Sequence, residues 1–505
     1  MNEESGGSIG LMEKIPTGIN GLDHIALGGI PKGRATLVSG SSGSCKTVLG
    51  LEFIRNGIEL YDDAGVFVTF EEPPEDIRRN IFTFNFDIAR YEALNKFAFV
   101  DVSPDPIGRN TESGAYDFSA LMARIEHAVE KVGAGRVVID SVGALFSQFS
   151  DTSKVRKELF RVASGLKLLD VTTLITAERT EEYGEIARFQ VEEFVADNVI
   201  ILRHVLENER RRRTVEILKF RGAKHQNGEY PFTISDKGIE VIPLSAITLE
   251  MLSTDKRISS GNKELDQMCG GGFFRDSILL ANGATGTGKT LMATTFISEG
   301  CRQGKRGLIL AFEESRSQMG RNAKGWGIDF YSSEDKGLLK IICAYPESAS
   351  LADHLLKLQE AIEVFKPERI AVDSLSALER VSTGKDYREF VISLTSFIKD
   401  RQIAGLFTST ATTLLGGESI TDHHISTITD SIILLRYVEL MGEMRRGITV
   451  LKMRGSVHEK TFREYTIDNR GMHIGDPFRN VSGILSGAPQ QLLATEQDKI
   501  ERMFE

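Results

Sequence analysis

The sequence predicts an α/β protein built as two tandem domains, each a mostly parallel, doubly wound sheet with helices on both faces. Three observations carry this. Short apolar runs alternate with helical stretches such as Asp117–Val132 and Leu351–Phe365. A set of segments beginning at Ile15 returns in the same order roughly 240 residues later, a domain-sized period rather than a solenoid one. Each copy also has a glycine-rich loop set between an apolar strand and an apolar helix.

In chain order, residues 1–14 are rich in Gly, Ser and Glu and are expected to be a flexible N-terminus. The first domain is expected over 15–245, a linker over 246–256, the second domain over 257–485 and an appended polar tail over 486–505. Thr17-Gly18-Ile19-Asn20-Gly21-Leu22-Asp23 is echoed by Ser260-Gly261-Asn262-Lys263-Glu264-Leu265-Asp266. Strands Val66–Phe70 and Leu308–Phe312 each end in a carboxylate pair, Glu71/Glu72 and Glu313/Glu314. Arg136–Ile139 and Arg369–Val372 are buried-type strands that end in Asp140 and Asp373. Asp197–Arg203 matches Asp430–Arg436, and Lys219–His225 matches Lys452–His458. The chain is a tandem duplication.

The second loop, Gly283-Ala284-Thr285-Gly286-Thr287-Gly288-Lys289-Thr290, is a complete G-x-x-x-x-G-K-T phosphate loop. Glycines let backbone N–H groups approach phosphate oxygens, and the following helix directs its positive end at the same anion. Lys289 is expected to reach the terminal phosphates of ATP, and Thr290 to ligate Mg²⁺. The first loop repeats the pattern through Gly43, Ser44, Cys45, Lys46 and Thr47, with Cys45 where glycine is usual. A side chain there can be a tolerated substitution, can crowd the phosphate, or can act as a thiol sensor. Asp140 and Asp373 are the expected metal-side carboxylates, with Glu313 contributing on the same side. Of each glutamate pair one is expected to act as base or orienting group, the first being preferred.

Net charge is −10 and no basic–aromatic stripe occurs, which counts against a dedicated nucleic-acid binder. Arg210–Arg213 is flanked by Glu207 and Glu209 and reads as a hairpin or a subunit contact. His423-His424 has no spacing that completes a metal site and reads as a turn. No apolar run approaches membrane-spanning length and no signal segment opens the chain, so a cytosolic protein is expected. The four cysteines have neither zinc nor disulfide spacing. The hydroxyl-rich stretch Thr421–Asp430 has no counterpart in Gln190–Asp197.

Particular segments then point to a family. Phe70-Glu71-Glu72, Arg179–Gly184, Glu207–Thr214, Gly270–Phe274, Ala311–Ser315, Ala344–Ser348 and His424–Asp430 closely resemble the KaiC family, tandem RecA-like ATPases of the cyanobacterial circadian clock. The likeness runs from about Ile15 to Pro489. It implies two RecA-like P-loop domains, a double-ring homohexamer with ATP at subunit interfaces, a slow ATPase in the first half and a serine/threonine autokinase in the second. Ser426 and Thr427 match the phosphoacceptors, with Thr421 a nearby hydroxyl, and Glu313 matches the base, with Glu314 beside it. Lys452, Met453 and Arg454, and in the first half Lys219, Arg221 and His225, match residues that reach a neighbour's nucleotide. The likeness also implies dephosphorylation by reverse transfer to ADP and a KaiB-type partner on the first ring. The tail ends earlier than in the cyanobacterial protein, so dependence on a KaiA-type partner is not carried over. The rival reading is a RecA/DnaB-like ATPase acting on DNA; a non-catalytic ATP-bound scaffold is a second.

Overall fold

The structure, a computed structural model, describes residues 12–84, 86–103, 118–143, 152–187, 196–207, 210–243, 253–411, 425–479, 481–485 and 489–491. The chain divides into two compact units, Met1–Ala246 and Ile247–Glu505. The centre of the expected linker and most of the expected tail lie outside the described residues.

The first unit holds a nine-stranded sheet: β1 (Ala35–Gly40), β2 (Ala64–Thr69), β3 (Phe97–Asp101), β4 (Ala134–Asp140), β5 (Thr172–Glu178), β6 (Asn198–Glu207), β7 (Arg210–Phe220), β8 (Glu229–Ser235) and β9 (Gly238–Val241). Its order is β3-β2-β4-β5-β1-β6-β7-β8-β9. The second unit has β10 (Ile278–Gly283), β11 (Gly307–Phe312), β12 (Leu339–Ala344), β13 (Arg369–Asp373), β14 (Ala404–Thr410), β15 (Ser431–Leu440), β16 (Glu443–Met453), β17 (Arg463–Asp468) and β18 (Gly471–Pro477). Its order, β12-β11-β13-β14-β10-β15-β16-β17-β18, is the first order strand for strand. In both sheets the pairs from β3 to β6, or β12 to β15, are parallel, and the rest are antiparallel. Arg210–Arg213 opens β7 and pairs with β6, so the arginine run is one arm of a hairpin.

Alternate residues of each strand feed opposite faces, as a two-residue period requires. In the first sheet Leu37, Val66, Val68 and Val137 pack with helices α2 (Phe118–Val132) and α3 (Thr152–Leu168) through Ile125, Val129 and Val162. Their neighbours Val38, Phe67 and Val138 pack the other way, onto Leu49, Phe53 and Ile54 of α1 (Lys46–Tyr61). In the second sheet Leu279, Ile309, Ala371 and Ile433 pack on Met292, Phe296 and Ile297 of α4 (Lys289–Arg302). Each of the buried Val, Leu, Ile, Phe and Met side chains contributes about 2 kcal/mol of burial. Helices α5 (Leu351–Phe365) and α6 (Gly384–Asp400) start at the side-chain caps Ser350 and Thr383.

The repeated sequence segments have local reasons. Asp23 accepts from Thr17 N and Gly18 N at 2.7 and 2.9 Å, and Asp266 accepts from Ser260 N at 2.7 Å, so each aspartate folds its own leading turn. Arg136 is buried and bonds Asp63 at 2.8 Å, Phe53 O at 2.8 Å and Pro16 O at 3.0 Å. Arg369 does the same work for β13, bonding Ser259 O and Phe296 O at 2.8 Å. Each guanidinium ties an aspartate-bearing strand to the helix after the phosphate loop.

Candidate nucleotide and phosphotransfer site

Both loops follow the central strand of their sheet and cap a helix with a left-handed residue, Cys45 (φ 73°) on α1 and Gly288 (φ 93°) on α4. Gly43 (φ 77°) and Gly286 (φ 81°) are also left-handed, so N–H groups alternate inward and form an anion-holding concavity. A Cβ on Gly286 would lie 2.8 Å from the Tyr437 hydroxyl, and one on Gly288 would lie 2.7 Å from Ile467 Cδ1. The Cys45 thiol instead turns back on its own loop, with Sγ 3.5 Å from Gly43 O. Burial pushes this thiol up, against the pull of Arg213 and Lys46, which disfavours the thiolate a sensor requires. Ser44 Oγ is buried with no hydrogen-bond partner, an orphan in keeping with a polar ligand on the loop.

Lys46 Nζ donates to Gly40 O and Ser41 O at 3.0 and 2.9 Å, and Lys289 Nζ to Gly283 O and Ala284 O at 2.8 and 2.9 Å. Burial lowers both lysine pKa values, so each cation gains from an anion placed beside it. Thr285 lies in the same loop, and its carbonyl accepts from the Tyr437 hydroxyl at 3.4 Å.

The expected metal-side residues meet. Thr47 Oγ1 donates to Asp140 at 2.7 Å, and Thr290 Oγ1 to Asp373 at 2.6 Å. Among the described residues no cluster of three or more His, Cys, Asp or Glu can hold a metal. A hydroxyl and one carboxylate beside a phosphate loop suit Mg²⁺, which takes its remaining oxygens from nucleotide and water. The residues fit ATP with Mg²⁺ in both halves.

The glutamates differ between halves. Glu71 accepts from Ser141 Oγ at 2.5 Å, and Glu72 from Asn80 at 3.3 Å. Glu313, left-handed at φ 77°, pairs with Arg380. Glu314 accepts from Asn322 at 3.4 Å, and burial together with the Asp373 charge pushes its carboxyl up.

The remaining expected residues lie at the other end of the sheets. Lys219 and Val199 are register partners on β7 and β6, and Lys452 pairs with Ile432 on β15. These rows neighbour the amino ends of β1 and β10, whereas the phosphate loops leave the carboxyl ends. From Leu279 to Gly283 the strand covers about 13 Å. Lys219 Nζ donates to Ala196 O at 3.0 Å, Arg221 lies 3.4 Å from Asp197, and His225 Nδ1 contacts Gln226 O at 3.1 Å. Lys452 Nζ donates to Thr429 O and Arg454 to Thr427 O, both at 2.7 Å. Met453, expected beside them, is buried in the core, so its side chain packs inward. Ser426 and Thr427 lie on a short helical turn, Ile425–Ile428, at this same amino end, and Thr427 is exposed. Thr421, His423 and His424 lie outside the described residues.

Sequence reasoning missed several partners. Thr176 and Thr408 each donate to the neighbouring strand's aspartate, Asp140 and Asp373. Their matching places in two aligned strands were the available signal. Tyr465 donates to Thr287 O at 2.5 Å, which only the strand pairing shows. Cys269 and Cys301 are buried, Cys45 is half-buried and Cys343 exposed. Among the described residues no helix is long and apolar enough to cross a membrane.

Known proteins place this geometry. A family model described as "ATPase: KaiC" matches the chain twice, over residues 15–246 and 258–478. The circadian clock protein KaiC3 of Synechocystis sp. is 60% identical over 495 residues, covering 98% of each chain. The circadian clock oscillator protein KaiC of Thermosynechococcus vestitus is 54% identical, over 97% of this chain and 95% of that one. The KaiC of Synechococcus elongatus is 53% identical, over 97% and 94%. Two RecA-like sheets with matched phosphate loops, found in near full-length register with these relatives, establish that the chain belongs to the KaiC family of ATPases.

Proposed function

We propose that this chain is a clock-type, Mg·ATP-dependent ATPase and serine/threonine autokinase that works as a ring of identical copies, six by family likeness. ATP held on one copy's Lys289 loop donates its terminal phosphate to Ser426 and Thr427 of the next copy. The observation that carries this is the placement of acceptors and loop at opposite ends of two neighbouring parallel strands. Thr427 is fixed at the amino end of β15 by Arg454, while Lys289 lies past the carboxyl end of β10. A copy therefore cannot phosphorylate itself, and a neighbour's loop must serve.

In this reading Lys289 neutralises the terminal phosphates, and Thr290 with Asp373 would hold Mg²⁺. Magnesium, when bound, supplies charge neutralisation on the phosphates. Glu313 takes the proton from the acceptor hydroxyl; Glu314 is engaged by Asn322 and flanks it. Lys452 and Arg454 supply positive charge across the interface to the nucleotide of the neighbour, as Lys219, Arg221 and His225 do in the first half, a slow ATPase. Reverse transfer onto ADP uses the same groups. Phosphate added beside Arg454 changes the charge of an interface, which suits a timer or switch. The names of the relatives as circadian clock proteins support that role, and a KaiB-type partner on the first half belongs to the same reading.

The test is incubation with Mg·ATP followed by phosphosite mass spectrometry, beside a Ser426→Ala/Thr427→Ala variant. Phosphate on Ser426 or Thr427, absent from the variant, is expected. Glu313→Gln is expected to lower the phosphorylation rate by about a hundredfold or more with ATP still bound. ATP hydrolysis without phosphoprotein would overturn the kinase reading, and salt-sensitive, DNA-stimulated turnover would replace it with a DNA-acting motor.

A further inference from the structure

We propose that Asp430 is a positioning residue for phosphotransfer, with Lys399 as the charge that holds it; this rests on the autokinase reading above. Asp430 stands three residues after Thr427 and immediately precedes β15. Its Oδ2 accepts from Ile278 N on β10 at 2.8 Å, and its Oδ1 accepts from Lys399 Nζ, near the end of α6, at 2.8 Å. Its backbone carbonyl accepts from Arg454 N at 2.9 Å, and Arg454 Nη1 lies 3.9 Å from Oδ1. Arg454 Nη2 and Lys452 Nζ take the carbonyls of Thr427 and Thr429, both at 2.7 Å. One carboxylate thus joins the central strand, a long helix, the acceptor segment and the two cations assigned to the neighbour's nucleotide. The Lys399 and Asp430 side chains are 18% and 17% exposed, so the pair is little screened by solvent.

The first half supplies an internal comparison. Asp197, the counterpart of Asp430, bonds Arg221 N through its carbonyl at 3.2 Å, and Lys219 takes Ala196 O at 3.0 Å. Besides Arg221, the counterpart of Arg454, at 3.4 Å, the nearer countercharge on Asp197 is Arg34, at 2.9 Å, which stands just before β1 at the place held by Ser277 in the second half. Lys167, which matches Lys399, is exposed there. The two copies agree in neutralising the carboxylate and differ in which element provides the cation. A packing requirement would keep the residue; a charge requirement keeps only the sign. Removing the carboxylate charge takes away the anion beside Arg454 and loosens the segment's anchor on β10, so the acceptor hydroxyls lose their alignment with the incoming phosphate.

The experiment measures the initial rate of Ser426/Thr427 phosphorylation at saturating Mg·ATP, together with ATP bound per chain and thermal unfolding, in the full-length assembly. Asp430→Asn and Lys399→Ala are expected to slow phosphorylation by about tenfold or more, out of proportion to any fall in ATP occupancy or melting temperature. Adding Ser277→Arg to Lys399→Ala, which moves the cation to its first-half position, is expected to restore most of the rate. Parental rates in Asp430→Asn would overturn the proposal. So would a loss that follows occupancy and melting in parallel, or a failure of Ser277→Arg to rescue. An unphosphorylated parent protein would mean instead that the autokinase reading itself fails, and the proposal with it.

Discussion

The two phosphate loops are the same device set in two different surroundings. In the second, Gly288 lies under Ile467 and Met472, with Cβ room of only 2.7 and 3.2 Å. In the first, Cys45 occupies the same left-handed position, with Ile234 and Ile239 on the equivalent hairpin. Ile239 thus stands where the second half has Met472, and the thiol folds back onto Gly43 O. Further along the two loop helices Glu52 is buried where the second half has Thr295, and Phe232 stands where the second half has Tyr465. A shared loop geometry therefore coexists with a changed neighbouring hairpin.

Four substitutions, one of them with a second-site partner, break or sharpen this comparison, from the largest effect down. Burial raises the Glu52 carboxyl from 4.5 to about 7, outweighing the Ile239 N–H it accepts at 2.8 Å. Because the folded value lies above the unfolded one, Glu52's contribution is fully present below 4.5 and is lost as pH rises through about 7. Glu52→Gln is expected to stabilise the first unit by up to about 3 kcal/mol above neutrality and to flatten its stability between pH 5 and 8, read by denaturant unfolding across that range. An unchanged pH profile would remove Glu52 from the account.

Gly288→Cys puts the first-half residue into the second-half wall. About 2 kcal/mol of backbone strain and crowding is expected, weakening ATP retention in the second half roughly thirtyfold. Met472→Ile in that background should recover part of it; no recovery would show that the hairpin wall is not what separates the halves. The reverse change, Cys45→Gly, is expected to relieve about 1 kcal/mol and tighten first-half ATP binding roughly fivefold, measured by titration with the second half's Lys289 replaced. Tyr465→Phe makes the second half like the first at that point. Loss of the hydrogen bond to Thr287 O should cost about 1 kcal/mol in the unfolding of the second unit.

Much of this was legible in the chain. The strand cores could be read because a parallel strand buried on both faces is an apolar run, as Val66–Val68 and Leu308–Leu310 are. The loops with Thr47 and Thr290, and the strand-end Asp140 and Asp373, could be read because each motif is local and its chemistry dictates residue type. Other features rest on contacts distant in sequence: Tyr465 to Thr287, Thr408 to Asp373 and Lys399 to Asp430 are 178, 35 and 31 residues apart. No short spacing records such pairs. The order of the sheet was likewise hidden, since it depends on which crossover lies over which strand. Arg210–Arg213 reads as basic on paper, yet Glu207 lies 3.8 Å from Arg212 across the hairpin.

The separation of loop and cationic strand end within one sheet has a genetic consequence. In the proposed ring, a copy with Lys289 disabled still presents Ser426 and Thr427 together with Lys452 and Arg454, while a copy with Arg454 disabled still carries a sound loop. Two such defective alleles, each silent alone, should complement when their products share a ring. A single dominant-negative copy should silence only the seams it touches, so residual activity would report the composition of the mixture.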